Sequence, residues 1–175
     1  MAQPPSMTDL MDLEGWKQLE LDLHQATNMN AAAYDDQGAM FTGQKTWGNQ
    51  LCPKIKSVPA GLSAICAVAN KAMTAQARAE HRSVIDQCDA GLTKICVPVF
   101  LNGDYIGAVG GCGVLLPGEE TDTFLVHKTL DADQAEITAL AQDIPAMTQE
   151  TAQQVAADLE QRVAEIVAAY LKRMG

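Results

Sequence analysis

The chain is short of positive charge. Its 12 Lys and Arg stand against 22 Asp and Glu, for a formal net charge of −10 over 175 residues. Binding to nucleic acid depends on clustered cations that neutralise phosphates, so none is expected here, and neither is docking on an anionic membrane surface. Long apolar runs are also missing, and no stretch approaches the roughly 20 residues of a membrane-spanning helix. The opening MAQPPSMTDLMDLEG has no basic region leading into an apolar one. No secretory signal is therefore expected, and the reading is a cytoplasmic protein. Histidine is scarce: His24, His81 and His127 are scattered, with no evident Ser or Asp partner. Cys88-Asp89 lacks the histidine from which a cysteine nucleophile normally takes its proton acceptor. The glycines from Gly107 to Gly113 lack the lysine and following helix of a phosphate-binding loop. An enzyme is accordingly not expected. Aromatic residues make up only 5 %, so Tyr34, Trp47, Phe100 and Tyr105 have to serve both the core and any pocket wall.

What is present describes a globular domain. Hydrophobic residues reach 47 % and charged residues 19 %, and the length allows one domain with a core and flanking helices. Residues 1–7 read as a loose leader. Leu13, Trp16, Leu19 and Leu23 recur at helical spacing and predict a helix from Thr8 to Ala26, with Asn28 as its left-handed terminator. Met29–Tyr34 and Ala39–Thr42, flanking Asp35-Asp36-Gln37-Gly38, predict strand, turn and strand. The glycines and prolines of 43–61 predict irregular chain or short helical turns that carry Cys52 in a loop. From Leu62 to Ala79, Cys66, Ala69, Met73 and Ala77 share one helical face. A short strand over His81–Ile85 and a turn over Cys88–Leu92 follow.

The densest signal is Val84 to Leu116. Val97, Val99, Phe100 and Leu101 form one apolar run and Tyr105–Leu116 another. Asn102-Gly103 between them supplies the positive φ angles of a two-residue hairpin. Thr121–Lys128 is ambiguous and is read as a loop over the pocket. Asp131-x-x-Gln134 is a capping-box pattern for a short helix containing Ile137, Leu140 and Ile144. Thr148 caps a final helix reaching Arg173. Its stripe of Val155, Leu159, Val163, Ile166 and Tyr170 favours pairing with a second copy over closing against the domain. The divisions are a leader at 1–7, a main domain at 8–147 and a C-terminal helix at 148–175. The expected fold is α+β: a PAS-like antiparallel sheet with flanking helices and a long C-terminal helix.

In order along the chain come the helix with Trp16, NMNAAAYDDQG, Leu51-Cys52-Pro53-Lys54-Ile55, Cys66, Cys88-Asp89-Ala90-Gly91-Leu92, Val97-Pro98-Val99 with its hairpin, and Ile106-Gly107 running to Gly110-Gly111-Cys112. This series resembles the PocR sensory-domain family, over roughly Leu13 to Leu116. The resemblance implies a PAS-like ligand-sensing module for small hydrocarbon derivatives, usually fused to an output domain. Asp89 stands where family members often have His, and Cys112 where they commonly have Gln.

Five cysteines and no CxxC pair do not suggest a disulfide framework in a reducing compartment; the alternatives are core residues, reactive thiols and metal ligands. Cys52, Cys66 and Cys88 fall at the family's motif positions. A PAS-like arrangement would bring them together with Cys112 around one cavity, where four thiolates can hold a [4Fe-4S] cluster or a zinc ion. Cys96, inside an apolar strand, reads as core. The first expectation is thus a cytoplasmic, non-enzymatic sensor with an iron–sulfur cluster or metal on Cys52, Cys66, Cys88 and Cys112. It would act as a homodimer or on an unidentified protein partner. The second keeps the fold without a metal and binds a small organic molecule against Tyr34, Phe100, Tyr105, Gly110 and Gly111. A third, weaker reading is a thiol-dependent redox protein.

Overall fold

A computed structural model describes residues 4–175; positions 1–3 of the expected leader lie outside the described residues. That leader is shorter than its sequence suggests. Met7 is buried and opens helix α1 (Met7–Leu10). The expected single helix is broken at Met11-Asp12, because Asp12 acts as the N-cap of α2 (Leu13–Thr27) and accepts from the Gly15 N–H at 2.8 Å. Asn28 ends α2 at φ 58°, as its type predicts.

A four-stranded antiparallel sheet follows the order β1-β4-β3-β2. Its strands are β1 (Asn30–Asp35), β2 (Val84–Gln87), β3 (Thr93–Leu101) and β4 (Asp104–Val114). Asn102 and Gly103, both at positive φ, turn the β3–β4 hairpin as expected. Ala39–Thr42 is not a strand. Only Met40 bridges back to Tyr34, and Thr42 is instead drawn inward to the buried carboxylate of Glu20.

Both faces of the sheet are covered, and alternation along β3 divides its side chains between them. Ile95, Val97, Val99 and Leu101 face α1, α2 and the last helix, α8 (Gln149–Met174), in one core. Val155, Leu159, Val163 and Ile166 of α8 belong to that core, so the stripe read as a seam for a second copy is spent on the chain's own sheet. Cys96 faces the other way, packed with Tyr34, Met73, Ala77, Val84 and Ala108.

That second face is roofed by α3 (Leu51–Ser57), a single turn α4 (Pro59–Gly61), a π-helical segment Leu62–Ala67 and α5 (Val68–Glu80). The chain bends by 104° between α3 and the helix beginning at Pro59. Cys52 therefore sits in the first turn of α3 and not in a loop. Thr121–Lys128 is no loop either: α6 (Thr123–Leu130) starts on the Asp122 carboxylate, which accepts from the Leu125 N–H. Asp131 is the left-handed C-cap of α6 and not the N-cap of the next helix. Asp133 caps α7 (Gln134–Leu140). No single described helix is long and apolar enough to cross a membrane.

Candidate functional site: a cavity lined by four cysteines

Cys52 on α3, Cys66 in the π-helical segment, Cys88 in the β2–β3 turn and Cys112 on β4 line one small cavity. Its volume is about 30 Å³, close to one water's share of the liquid. The fold brings them together because β4 and the β2–β3 turn form the floor while the bent α3–α5 run folds over them. The segment bearing Cys66 is wound as a π-helix, an irregularity found frequently at functional sites.

Three of the four sulfurs face N–H donors. Asn49 Nδ2 lies 3.3 Å from Cys52 Sγ and also donates to the Gly113 carbonyl at 2.9 Å, tying α3 to β4. Asn30 Nδ2 points at Cys112 Sγ from 3.9 Å. Backbone N–H groups of Leu92 and Ala90 are directed at Cys88. Gly113 makes room for the two asparagines, since a Cβ there would run into both amide groups, and its φ of 88° suits glycine. N–H groups aimed at sulfur favour thiolate and are a recurrent feature around metal–sulfur groups.

The charge of the cavity is opposite to that of the chain. Lys94 and Lys56 line it, and no carboxylate does. Lys94 is 3 % exposed. Its ammonium donates to the Tyr34 hydroxyl at 2.8 Å and to Asn70 Oδ1, and lies 4.5 Å from the centre of the Tyr34 ring. Burial pushes this ammonium toward neutrality, while the Tyr34 hydroxyl that accepts from it and the other acidic groups around it favour the charged form, with a net balance above the usual lysine value. Burial also raises Tyr34, so at neutral pH the phenol is no anion. Burial acts on three of the thiols in the same way: it pushes Cys52 up to about 12 and Cys66 up to about 11, and raises Cys88. A buried ammonium in a cavity with no carboxylate lacks an acidic partner of the usual kind, an expensive arrangement.

Among the described residues no group of three or more His, Cys, Asp or Glu side chains is arranged to hold a metal ion. The thiols surround the cavity without forming a closed ligand set. No disulfide links any of the five cysteines.

The residues expected to bind an organic ligand are dispersed. Tyr34 borders the cysteine cavity. Phe100 and Tyr105 lie in a separate groove. Gly110 closes against the Ile95 carbonyl of β3, and Gly111 lies under Met29 on the opposite face. Both glycines serve packing. Beside the cysteines is a roomier vestibule of about 430 Å³, bordered by Tyr34, Met40, Trp47, Leu62, Lys56 and Cys112. His24 is not an exposed side chain: Nδ1 meets the Met29 carbonyl at 2.8 Å. His127 sits in the last turn of α6, with Nδ1 3.2 Å from the Ala132 carbonyl. Sequence reasoning missed Lys94, whose signal was a lone cation in the apolar run Ile95–Leu101 and its approach. It also missed Asn30 and Asn49, which carry no such signal.

An antiparallel sheet with helices on both faces and a side-chain-lined chamber under one of them is the α+β architecture expected of a PAS-like sensory domain. Residues 9–170 match the family described as the sensory domain found in PocR, and the chain belongs to that family. No curated protein matches the chain, and no solved structure does.

Proposed function

We propose that this domain is a non-enzymatic sensor whose reporting centre is a thiolate-bound metal group held by Cys52, Cys66, Cys88 and Cys112. The observation that carries the reading is the convergence of four cysteines, from four separate elements, on one cavity lined by two lysines and no carboxylate. The donor types suit the group in their chemistry, although the four thiols do not stand as a closed ligand set. Four thiolates around a zinc ion, or around a [4Fe-4S] cluster, carry the net negative charge that Lys94 lacks as a partner, and the N–H groups at Cys52, Cys88 and Cys112 suit thiolate acceptors. A cavity of about 30 Å³ favours a single ion over a cluster. A cluster supplies a redox- or gas-responsive state, and zinc a structural tie. Thiols in this role require a reducing compartment, consistent with a cytoplasmic protein acting through a partner protein or a second copy.

A second reading is favoured by the vestibule. Tyr34, Met40, Trp47 and Leu62 surround a space large enough for a small organic molecule, with Cys112 at its inner end. Under this reading the cysteines stay reduced and metal-free.

The deciding experiment is anaerobic purification of the full chain, followed by metal and sulfide analysis and an absorption spectrum. Iron with sulfide and a broad thiolate–iron band supports the cluster; stoichiometric zinc without colour supports the ion. Each must be lost in single Cys→Ser variants at the four positions and kept in C96S. Protein free of metal throughout, when shielded from oxygen, overturns the metal reading in favour of the vestibule.

A further inference from the structure

At the opposite end of α5 from Cys66 is a groove of about 530 Å³ that shares no residue with the cysteine cavity or its vestibule. It lies between α5 and the β3–β4 hairpin. Three features distinguish it from ordinary surface.

Lys71 and Arg78 stand seven residues apart on α5, hence on one helical face. Neither forms an ion pair, although the chain has 22 acidic residues and three such pairs occur among the described residues. The floor is aromatic. His81, at the left-handed end of α5, stacks on Phe100 with ring centres 4.4 Å apart and planes 9° from parallel, and Phe100 meets Tyr105 edge-on at 5.7 Å. The Arg78 guanidinium lies 5.3 Å from the centre of the Tyr105 ring. Finally, the Tyr105 hydroxyl is buried and has no hydrogen-bond partner among the described residues. A buried polar group without a partner is rare in a folded protein. Burial keeps this phenol protonated well past neutrality, so it is a donor in search of an acceptor.

The combination selects a ligand class. A guanidinium beside a phenol donor, with an ammonium further along the same helical face, matches a carboxylate. The flat floor suits a short or planar organic body. Asp36 and Asp104 on the other rim repel a multiply charged anion such as phosphate.

We propose that this groove binds a small organic acid with a single carboxylate, held by Arg78 and Lys71 with Tyr105 donating to it and Phe100 and His81 beneath its body. The site is independent of what the cysteines hold. Because α5 continues from the segment that carries Cys66, both sites border one continuous helix.

The test is an amide NMR titration of the full chain with benzoate and with lactate, using benzyl alcohol as the uncharged counterpart of benzoate and inorganic phosphate as the competing anion. At least one carboxylate is expected to shift the amides of Gly103, Asp104 and Tyr105, with benzyl alcohol and phosphate binding more weakly. The substitution R78Q, at an exposed helical position, is expected to keep the spectrum of the folded domain. It should weaken carboxylate binding by about tenfold or more, the value of a charge-assisted hydrogen bond. The Y105F variant should also bind more weakly while melting no earlier than the parent. The proposal is overturned if neither carboxylate moves those amides at millimolar concentration, if benzyl alcohol or phosphate binds as tightly, or if R78Q binds unchanged.

Discussion

At the scale of single residues, two buried ionisable groups mark the two faces of the sheet, and they are handled differently. Lys94 is held by neutral partners and awaits an anion, whereas Glu20 is fully enclosed by donors. The Glu20 carboxylate accepts from the Thr42 hydroxyl at 2.8 and 2.9 Å and from the Ala33 N–H at 2.7 Å. Burial raises its pKa above the ordinary 4.5, and these hydrogen bonds only partly offset the rise. The folded chain therefore holds this proton more tightly than the unfolded chain does. Its contribution to stability is complete below 4.5 and is lost as pH rises through the elevated folded value. Glu20→Gln cannot ionise, so its stability in urea melts is expected to lose that downward slope above 4.5. A slope identical to the parent's would assign the pH dependence to another group.

Among elements, the sheet was the easiest part to read from sequence and the helical roof the hardest. The β3–β4 hairpin was legible because alternating apolar residues and Asn102-Gly103 point to the same local geometry. The strand assigned to Ala39–Thr42 failed because its propensity was overridden by one tertiary contact, Thr42 with Glu20. Cys52 was misplaced in a loop because the Asn49 side chain, which accepts the Cys52 N–H at 2.8 Å, starts a helix just ahead of Pro53. The convergence of the four cysteines came through the family pattern, since their separations in sequence carry no ligand spacing. The partner of the α8 stripe could not be read at all: heptad-like spacing looks the same whether the helix meets a copy or its own sheet. Leu159 discriminates between the two. It is 5 % exposed against the sheet, so Leu159→Ala is expected to cost about 2–4 kcal/mol by urea unfolding. The loss should be the same at low and high protein concentration. A cost that grows on dilution would instead place the stripe between two copies.

The molecule as a whole has apolar clusters on both sides of its sheet, with different sources of support. The α1–α2–α8 side is closed by continuous apolar packing from Trp16 to Ile166. The other side is smaller, with Leu51, Cys52, Ile55, Ile65, Ala90 and Leu92 packed around the cysteine cavity and roofed by α6 and α7. A group bound to all four thiols ties α3, the π-helical segment, the β2–β3 turn and β4 at one point, and its binding free energy adds to the stability of the folded state. Removing it should therefore act on one face of the sheet only. Hydrogen exchange on metal-loaded and chelator-stripped protein is expected to show lost protection at 51–67 and 88–92, with α2 and α8 unchanged. The apparent melting temperature should fall in proportion to the metal lost. Uniform loss of protection in all helices would mean that the two sides unfold as one unit. No change anywhere would mean that the cysteines tie nothing together, and the vestibule would then be the place to look for the signal.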